Sequence, residues 1–263
     1  MYKCTPMHKI FISLFFISIF LDSYSQQTVP LVSQVHTLST LSASKTKAGE
    51  SKLLFDGSGK ILSQHTLKTY SINGKKKLGF HELENGDELF FIIKSGPVNV
   101  TLNNHIQALD KGSVVFVLPG DNVEFTNTHL DPVEIYAMTV RSSTPDQVRG
   151  RNAGNSFMMN WFDMVYKPHD KGGVRQLFDR KTIMLNRFDI HVTSLNPATS
   201  SHPAHTHMNE EIILMLDGEG EMILGDKKQK ITTGDAAWVE SMIPHNFTNT
   251  ASRPAVYFAI QWN

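Results

Sequence analysis

The chain has 263 residues, and its 25 Lys and Arg are balanced by 25 Asp and Glu, for a formal net charge of zero. That balance excludes recognition of nucleic acid, an anionic membrane surface or another polyanion through bulk electrostatics. A single cysteine, Cys4, excludes a disulfide framework and any Cys-His nucleophile.

At the N-terminus, Lys3, His8 and Lys9 precede an apolar run from Ile10 to Leu21, and Ser23-Tyr24-Ser25 offers the small residues that signal peptidase requires. This pattern predicts a signal peptide over residues 1–25, cleaved after Ser25 to leave Gln26 first. The run is short for a bilayer span, so an uncleaved anchor is the lesser alternative and no stable membrane association is expected after cleavage. Cys4 lies ahead of the run, unlike the lipidated cysteine of a lipoprotein. The expected destination is the periplasm or beyond the cell, with a mature chain free of cysteine.

The body of the chain reads as all-β. Short apolar or alternating segments such as Leu89-Phe90-Phe91-Ile92-Ile93, Val98-Asn99-Val100-Thr101-Leu102, Val114-Val115-Phe116-Val117 and Val256-Tyr257-Phe258-Ala259-Ile260 are separated by Gly, Asn and Asp turns. No long helical period interrupts them. Lys75-Lys76-Lys77 after Asn73-Gly74 reads as a solvated turn, and Gly172-Gly173 and Gly218-x-Gly220 lack any phosphate-loop context.

These segments repeat. Phe125-Thr126-Asn127-Thr128 recurs as Phe247-Thr248-Asn249-Thr250, Gly96 pairs with Gly218, and Gly112 with Gly234, all at one offset. Upstream, Leu54-Phe55-Asp56 matches Leu177-Phe178-Asp179 and Ser71-Ile72-Asn73 matches Ser194-Leu195-Asn196 at an offset one residue longer, so the first copy carries an extra residue before Gly96. Two similar β units in tandem are predicted. Between them, Arg141 to Asn155 is polar and reads as a connector, whereas Phe157-Met158-Met159-Asn160-Trp161-Phe162 is apolar enough to pack on a barrel or a partner.

The second copy carries the chemistry. His205 and His207 are two residues apart, so on an extended chain both imidazoles point one way, and Glu211 keeps that parity ahead of the apolar strand Ile212 to Leu216. Gly218 follows, then Gly234, Pro244-His245 and Asn249. Three neutral imidazoles and one carboxylate bind a divalent transition ion and leave positions free for water or substrate.

In these intervals the sequence resembles the cupin superfamily, whose first motif is His-x-His, three residues, Glu, six residues, Gly, and whose second ends in a His followed four later by Asn. His205, His207, Glu211 and Gly218 match the first motif, and Gly234, His245 and Asn249 the second. The chain departs from the pattern at Thr199 and Met242, where Gly is expected, and at Glu240, where Pro is expected. The resemblance implies an all-β fold of two tandem cupin barrels (double-stranded β-helix, or jelly roll): an N-terminal degenerate barrel over 26–140, a connecting segment over 141–175 and a C-terminal metal-binding barrel over 176–263. It also implies a homodimer by analogy with bicupins.

The first copy has lost the ligands. Val123 stands opposite His245, while His205 and His207 correspond to Leu83 and Asn85 on one offset or Glu82 and Glu84 on the other. Glu88 aligns with Glu211 only if the extra residue follows it. The first barrel is therefore expected to be structural, filled by Leu, Val and Phe.

One divalent transition ion is expected per chain, Mn, Fe, Ni or Zn, held by His205, His207, Glu211 and His245. Ile213 and Met215 share the inward parity, and Arg187, Asp189, His191 and Thr193 would present a polar strand face, or one exposed to solvent. Glu240 and His191 are the acid/base candidates. The expected function is an exported, metal-dependent isomerase, tautomerase or related enzyme acting on a small oxygen-rich molecule, a sugar or uronate from polysaccharide breakdown. Alternatives are an amino hydrolase like ureidoglycine aminohydrolase, whose site resembles Glu, His, His and Gln at the four positions, and a non-catalytic, metal-assisted sugar-binding module.

Overall fold

A computed structural model describes Met1 and residues 28–81 and 86–263. The expected signal peptide, with Cys4 and the cleavage point at Ser25, lies outside the described residues, as do Glu82, Leu83, Glu84 and Asn85.

Two antiparallel β units of the same topology make up the described chain. In the second, a seven-stranded sheet runs in the order Gln34–His36, Ala236–Val239, Glu210–Asp217, Ala255–Trp262, Phe188–Leu195, Gly172–Arg180, Tyr166–His169, and a smaller sheet consists of Lys227–Thr232, Glu219–Leu224 and His245–Asn249. In the first, the large sheet runs Phe157–Met159, Val114–Val117, Glu88–Ile93, Val133–Arg141, Gln64–Ile72, Gly49–Gly57, Ser44–Lys45, and the smaller one Lys77–Phe80, Val123–Thr126, Val98–Leu102, His105–Leu109. Each pair of sheets closes on its own apolar core. This is the all-β jelly roll expected from the sequence.

The unbroken apolar runs have a topological cause. On Glu210–Asp217, Ile213 and Met215 enter the barrel interior, whereas Ile212, Leu214 and Leu216 enter a third core that the two large sheets form by packing back to back. Leu89, Phe91 and Ile93 divide from Phe90 and Ile92 in the same way. A strand buried on both faces loses the alternation of a half-exposed one.

The repeat extends to register. Phe55 pairs with Leu67 as Phe178 pairs with Ile190, and the β-bulge between Leu53 and Phe55 recurs between Gln176 and Phe178. Leu89 opposes Val117 where Glu211 opposes Val239, and Glu88 opposes Val140 where Glu210 opposes Trp262. The extra residue of the first copy thus precedes Glu88, whose counterpart is Glu210. Leu89 occupies the place of Glu211, so no ligand carboxylate survives there.

The unit boundaries differ from the expected ones because each copy lends its leading strand to the other. Gln34–His36 pairs with Ala236–Val239 of the second barrel, and its counterpart Phe157–Met159 pairs with Val114–Val117 of the first. The segment 141–175 is correspondingly more than a connector: it contains the helix Gln147–Ala153, capped by the Asp146 side chain accepting from Arg149 N, and Tyr166–His169 at the edge of the second large sheet. The apolar stretch after Asn155 packs on the first barrel through Phe157–Met159, although Phe162 is 79% exposed.

A reciprocal pair of buried carboxylates closes the inter-barrel contact. Glu210 accepts from Lys60 N at 2.6 Å and, through its other oxygen, from Trp262 Nε1 at 3.0 Å. Glu88 accepts from Ile183 N at 2.6 Å, the equivalent amide of the second unit. Gly59 makes room for this, since a Cβ there would lie 2.5 Å from Glu210 Oε1.

Candidate metal centre

His205, His207 and His245 offer nitrogens that all lie within 4.8 Å of one another. The first two come from the loop ahead of Glu210–Asp217. His245 opens the strand His245–Asn249 and meets His205 through an isolated antiparallel bridge, with N to O distances of 3.1 and 3.3 Å. Glu211 adds a buried carboxylate: its Oε2 is 2.9 Å from His245 Nε2 and 3.3 Å from His207 Nε2. The structure therefore brings together all four residues singled out by spacing.

The hydrogen bonds around these groups fit a cation. His207 Nδ1 lies 3.0 Å from Asn209 O and His245 Nδ1 lies 2.8 Å from Ile243 O. A carbonyl can only accept, so in both rings Nδ1 carries the hydrogen and, when the ring is neutral, Nε2 presents a lone pair. Those lone pairs face an acceptor-only carboxylate oxygen. His245 Nε2 is close to Glu211 Oε2 but lacks the alignment of a hydrogen bond, which leaves it buried and unpartnered. Buried acceptors facing one another are stable only with positive charge between them, supplied by protons or by a metal ion.

Electrostatics in the metal-free protein reflect this. Burial works to raise the Glu211 carboxyl, but contacts with His207, His245 and Gln261 outweigh it and hold the group down to about 2. The hydrogen bond to Glu211 raises His207, whereas burial and the neighbouring imidazoles lower His205. The donor set suits a divalent transition ion, and those groups would give up their protons to bind it.

An amide chain that the sequence reading missed orients the carboxylate. Gln261 Nε2 donates to Glu211 Oε1 at 3.1 Å, Asn209 Nδ2 donates to Gln261 Oε1 at 3.2 Å, and Asn263 Nδ2 donates to Asn209 Oδ1 at 2.8 Å. With Oε1 engaged, Oε2 is the oxygen turned toward the imidazoles. The inward parity of Tyr257, Ala259 and Gln261 on Ala255–Trp262 was the available signal.

The site opens into a cavity of about 330 Å³ inside the second barrel. His191 and Thr193 line it, so the polar strand face expected there points partly inward. Asp189 and Arg187 continue that face away from the cavity: Arg187 bridges Asp179 and Asp189, and Asp189 Oδ1 is 3.9 Å from His191 Nδ1. His169 and His202 also line the cavity, and the His202 ring packs edge-on against His205 at 4.1 Å.

Glu240 is not brought to the ligands. Its Oε2 accepts from Ser33 N at 2.8 Å and Ser33 Oγ at 2.9 Å, tying down the exchanged strand Gln34–His36. Glu240 lines a different cavity, beside Glu210 and Lys60, and there serves as a tie between the barrels. Met242, at another departure from the motif, has φ of 66° and donates its N–H to His207 O at 2.8 Å. It adopts the left-handed backbone for which the motif has Gly, so the loop survives the substitution.

In the first barrel Val123 is fully buried and pairs with Phe80, as His245 pairs with His205. Phe80 packs against Phe91, Phe125 and Tyr70. Aromatic rings therefore fill the volume that ligands occupy in the second.

Residues 191–261 match the family described as Cupin domain, and this interval contains all four candidate ligands. No curated protein sequence matches the chain. Among solved structures, AerE from Microcystis aeruginosa is similar at 14% identity over 85% of this chain and 98% of its own, with a TM-score of 0.62. Protein Ylba from E. coli is 16% identical over 90% of this chain and 94% of its own, at a TM-score of 0.66. A variant of the oxalate decarboxylase OxdC from Bacillus subtilis is 12% identical over 89% of this chain and 78% of its own, also at 0.66. Residues 191–261 are thus similar to a cupin domain, and the described chain shares its fold with these structures.

Proposed function

We propose that the protein is a metal-dependent enzyme that binds one divalent transition ion in its second barrel and acts on a small oxygen-bearing molecule in the adjoining cavity. The observation that carries this reading is the meeting of two fixed imidazole lone pairs, a third imidazole and an oriented carboxylate at the wall of an open cavity. A bound ion would polarise a ligand oxygen and acidify a neighbouring proton. Around it, Gln261 holds Glu211 and the backbone carbonyls of Asn209 and Ile243 hold the rings of His207 and His245. His191 is the proton-transfer candidate, since it lines the cavity and is not a ligand. Isomerisation or tautomerisation of a small acid bearing adjacent oxygens is the reaction class this arrangement suits.

The proposal includes export to the periplasm or beyond, based on the residues before Gln26, and a homodimer as the assembly. Elemental analysis of the mature protein should find about one divalent ion per chain, falling to near zero in His207→Ala. Turnover of a small hydroxy or oxo acid, lost on chelation and restored by one metal, would support an enzyme. Tight metal-dependent binding without turnover would leave a binding module.

A further inference from the structure

The walls of this cavity narrow the ligand further, an inference that rests on the metal reading above. We infer that the site takes a monoanion offering two adjacent oxygens to the ion and an apolar body to the barrel floor, a 2-hydroxy or 2-oxo monocarboxylate, and selects against dianions and phosphate esters.

Charge is the first observation. Among the residues that line the cavity Glu211 is the sole carboxylate, and none is Lys or Arg. A divalent ion beside Glu211 leaves one net positive charge, which a single carboxylate on the ligand neutralises. A second anionic group would be buried with no Lys or Arg to pair with it, and only the imidazoles of His169, His191 and His202 beside it, which is unfavourable. Two cations on neighbouring segments have partners of their own. Lys171 Nζ donates to Ser201 O at 3.0 Å beside exposed Asp170, and Arg187 bridges Asp179 and Asp189.

The floor is the second observation. Further along the ligand-bearing strands, Ile213 and Phe247 follow Glu211 and His245 on the inward face, and with Leu195 and Met222 they line the cavity as members of the barrel core. Hydroxyls distributed over every face of a ligand would meet this floor without partners, at the cost of their hydration. A ligand with oxygens at one end and hydrocarbon at the other satisfies both walls, and the small volume limits it to a compact metabolite.

The test uses the full mature chain loaded with Co²⁺, whose visible bands report ligands entering at the metal. Four probes separate the two arguments: 2-hydroxyisocaproate, glycolate (the same head without the body), malate (a second carboxylate) and 3-phosphoglycerate (a phosphate ester). We expect 2-hydroxyisocaproate to bind at least about tenfold more tightly than each of the others, since each buried methylene contributes about fourfold. Glycolate binding as well would overturn the floor argument, and malate or 3-phosphoglycerate binding as well or better would overturn the charge argument. Thr193→Lys, which places a cation on the wall, should shift the preference toward malate, and an unchanged ratio counts against the inference. If Co²⁺ is not taken up, or is taken up equally by His207→Ala, the metal reading itself falls. Uptake that depends on His207 with the wrong probe order overturns the ligand class alone.

Discussion

Gln261, the cross-strand neighbour of Glu211, donates one side-chain hydrogen bond to it, and that bond determines which carboxylate oxygen faces the imidazoles. Removing such a partner of a metal ligand ordinarily costs about 10- to 100-fold in metal affinity. Gln261→Met, close in volume but unable to donate, should weaken metal binding by that factor while circular dichroism is unchanged; calorimetric titration with Zn²⁺ would check it, and wild-type affinity would show that Glu211 needs no support. His65 is a second residue with a measurable consequence. It is fully buried between Phe55, Trp238 and Trp262, both ring nitrogens lack a hydrogen-bond partner, and burial pushes its pKa down to about 3. The unfolded chain binds a proton near pH 6.5 that the folded chain refuses, so this group's contribution is intact above that pH. It is lost at about 1.4 kcal/mol per pH unit as pH falls toward 3. Its counterpart in the second unit is Phe188, similarly surrounded by Phe90, Phe116 and Phe178. His65→Phe should therefore flatten the acid side of the stability profile, measured by urea melts between pH 7 and 4, and an equally steep loss in the variant would assign it to other groups.

Among the elements, those that interlock the barrels contribute stability rather than chemistry. Glu210 fixes the turn at Lys60, and truncating it leaves the amide of Lys60 and the indole nitrogen of Trp262 without their partner. Glu210→Ala should cost on the order of 2 to 4 kcal/mol, since each orphaned buried donor costs about 1 to 3 kcal/mol, and metal stoichiometry should stay at its wild-type value. Denaturant melts beside elemental analysis would test this; an unchanged midpoint would remove the clamp from the account. The apolar runs, the tandem repeat and the meeting of His205, His207, Glu211 and His245 were legible in the sequence because spacing and strand parity carry them directly. The role of Glu240 was not, since its partner Ser33 is more than two hundred residues away and only the strand exchange brings them together. The placement of Glu88 was ambiguous for a related reason: a one-residue insertion changes strand parity, and the cross-strand partner Val140 is needed to fix it.

At the scale of the molecule, the exchanged strands and the back-to-back sheets make two repeats into one cooperative body. The shared core joins Phe90, Phe116 and Tyr136 of the first unit to Phe188, Leu214 and Trp238 of the second, and neither half could keep that surface dry alone. Damage to the first barrel should therefore reach the whole protein as lost stability without altering the metal site. Val123→Ala tests this, because Val123 is fully buried against Phe80 and Leu102 in the barrel without ligands. The missing methyl groups and the cavity left behind should lower stability by about 1 to 3 kcal/mol. The melt should remain a single transition, shifted down for both barrels together. Metal content at saturation should match wild type, because no ligand or ligand partner moves. His245→Gln should behave in the opposite way, losing metal while the metal-free melt stays close to wild type, since a ligand stabilises the fold mainly through the bound ion. Calorimetric scans with and without chelator would distinguish the two variants. Two separate transitions in Val123→Ala would show that the barrels unfold independently, and metal loss in that variant with the fold preserved would show that the first barrel supports the site directly.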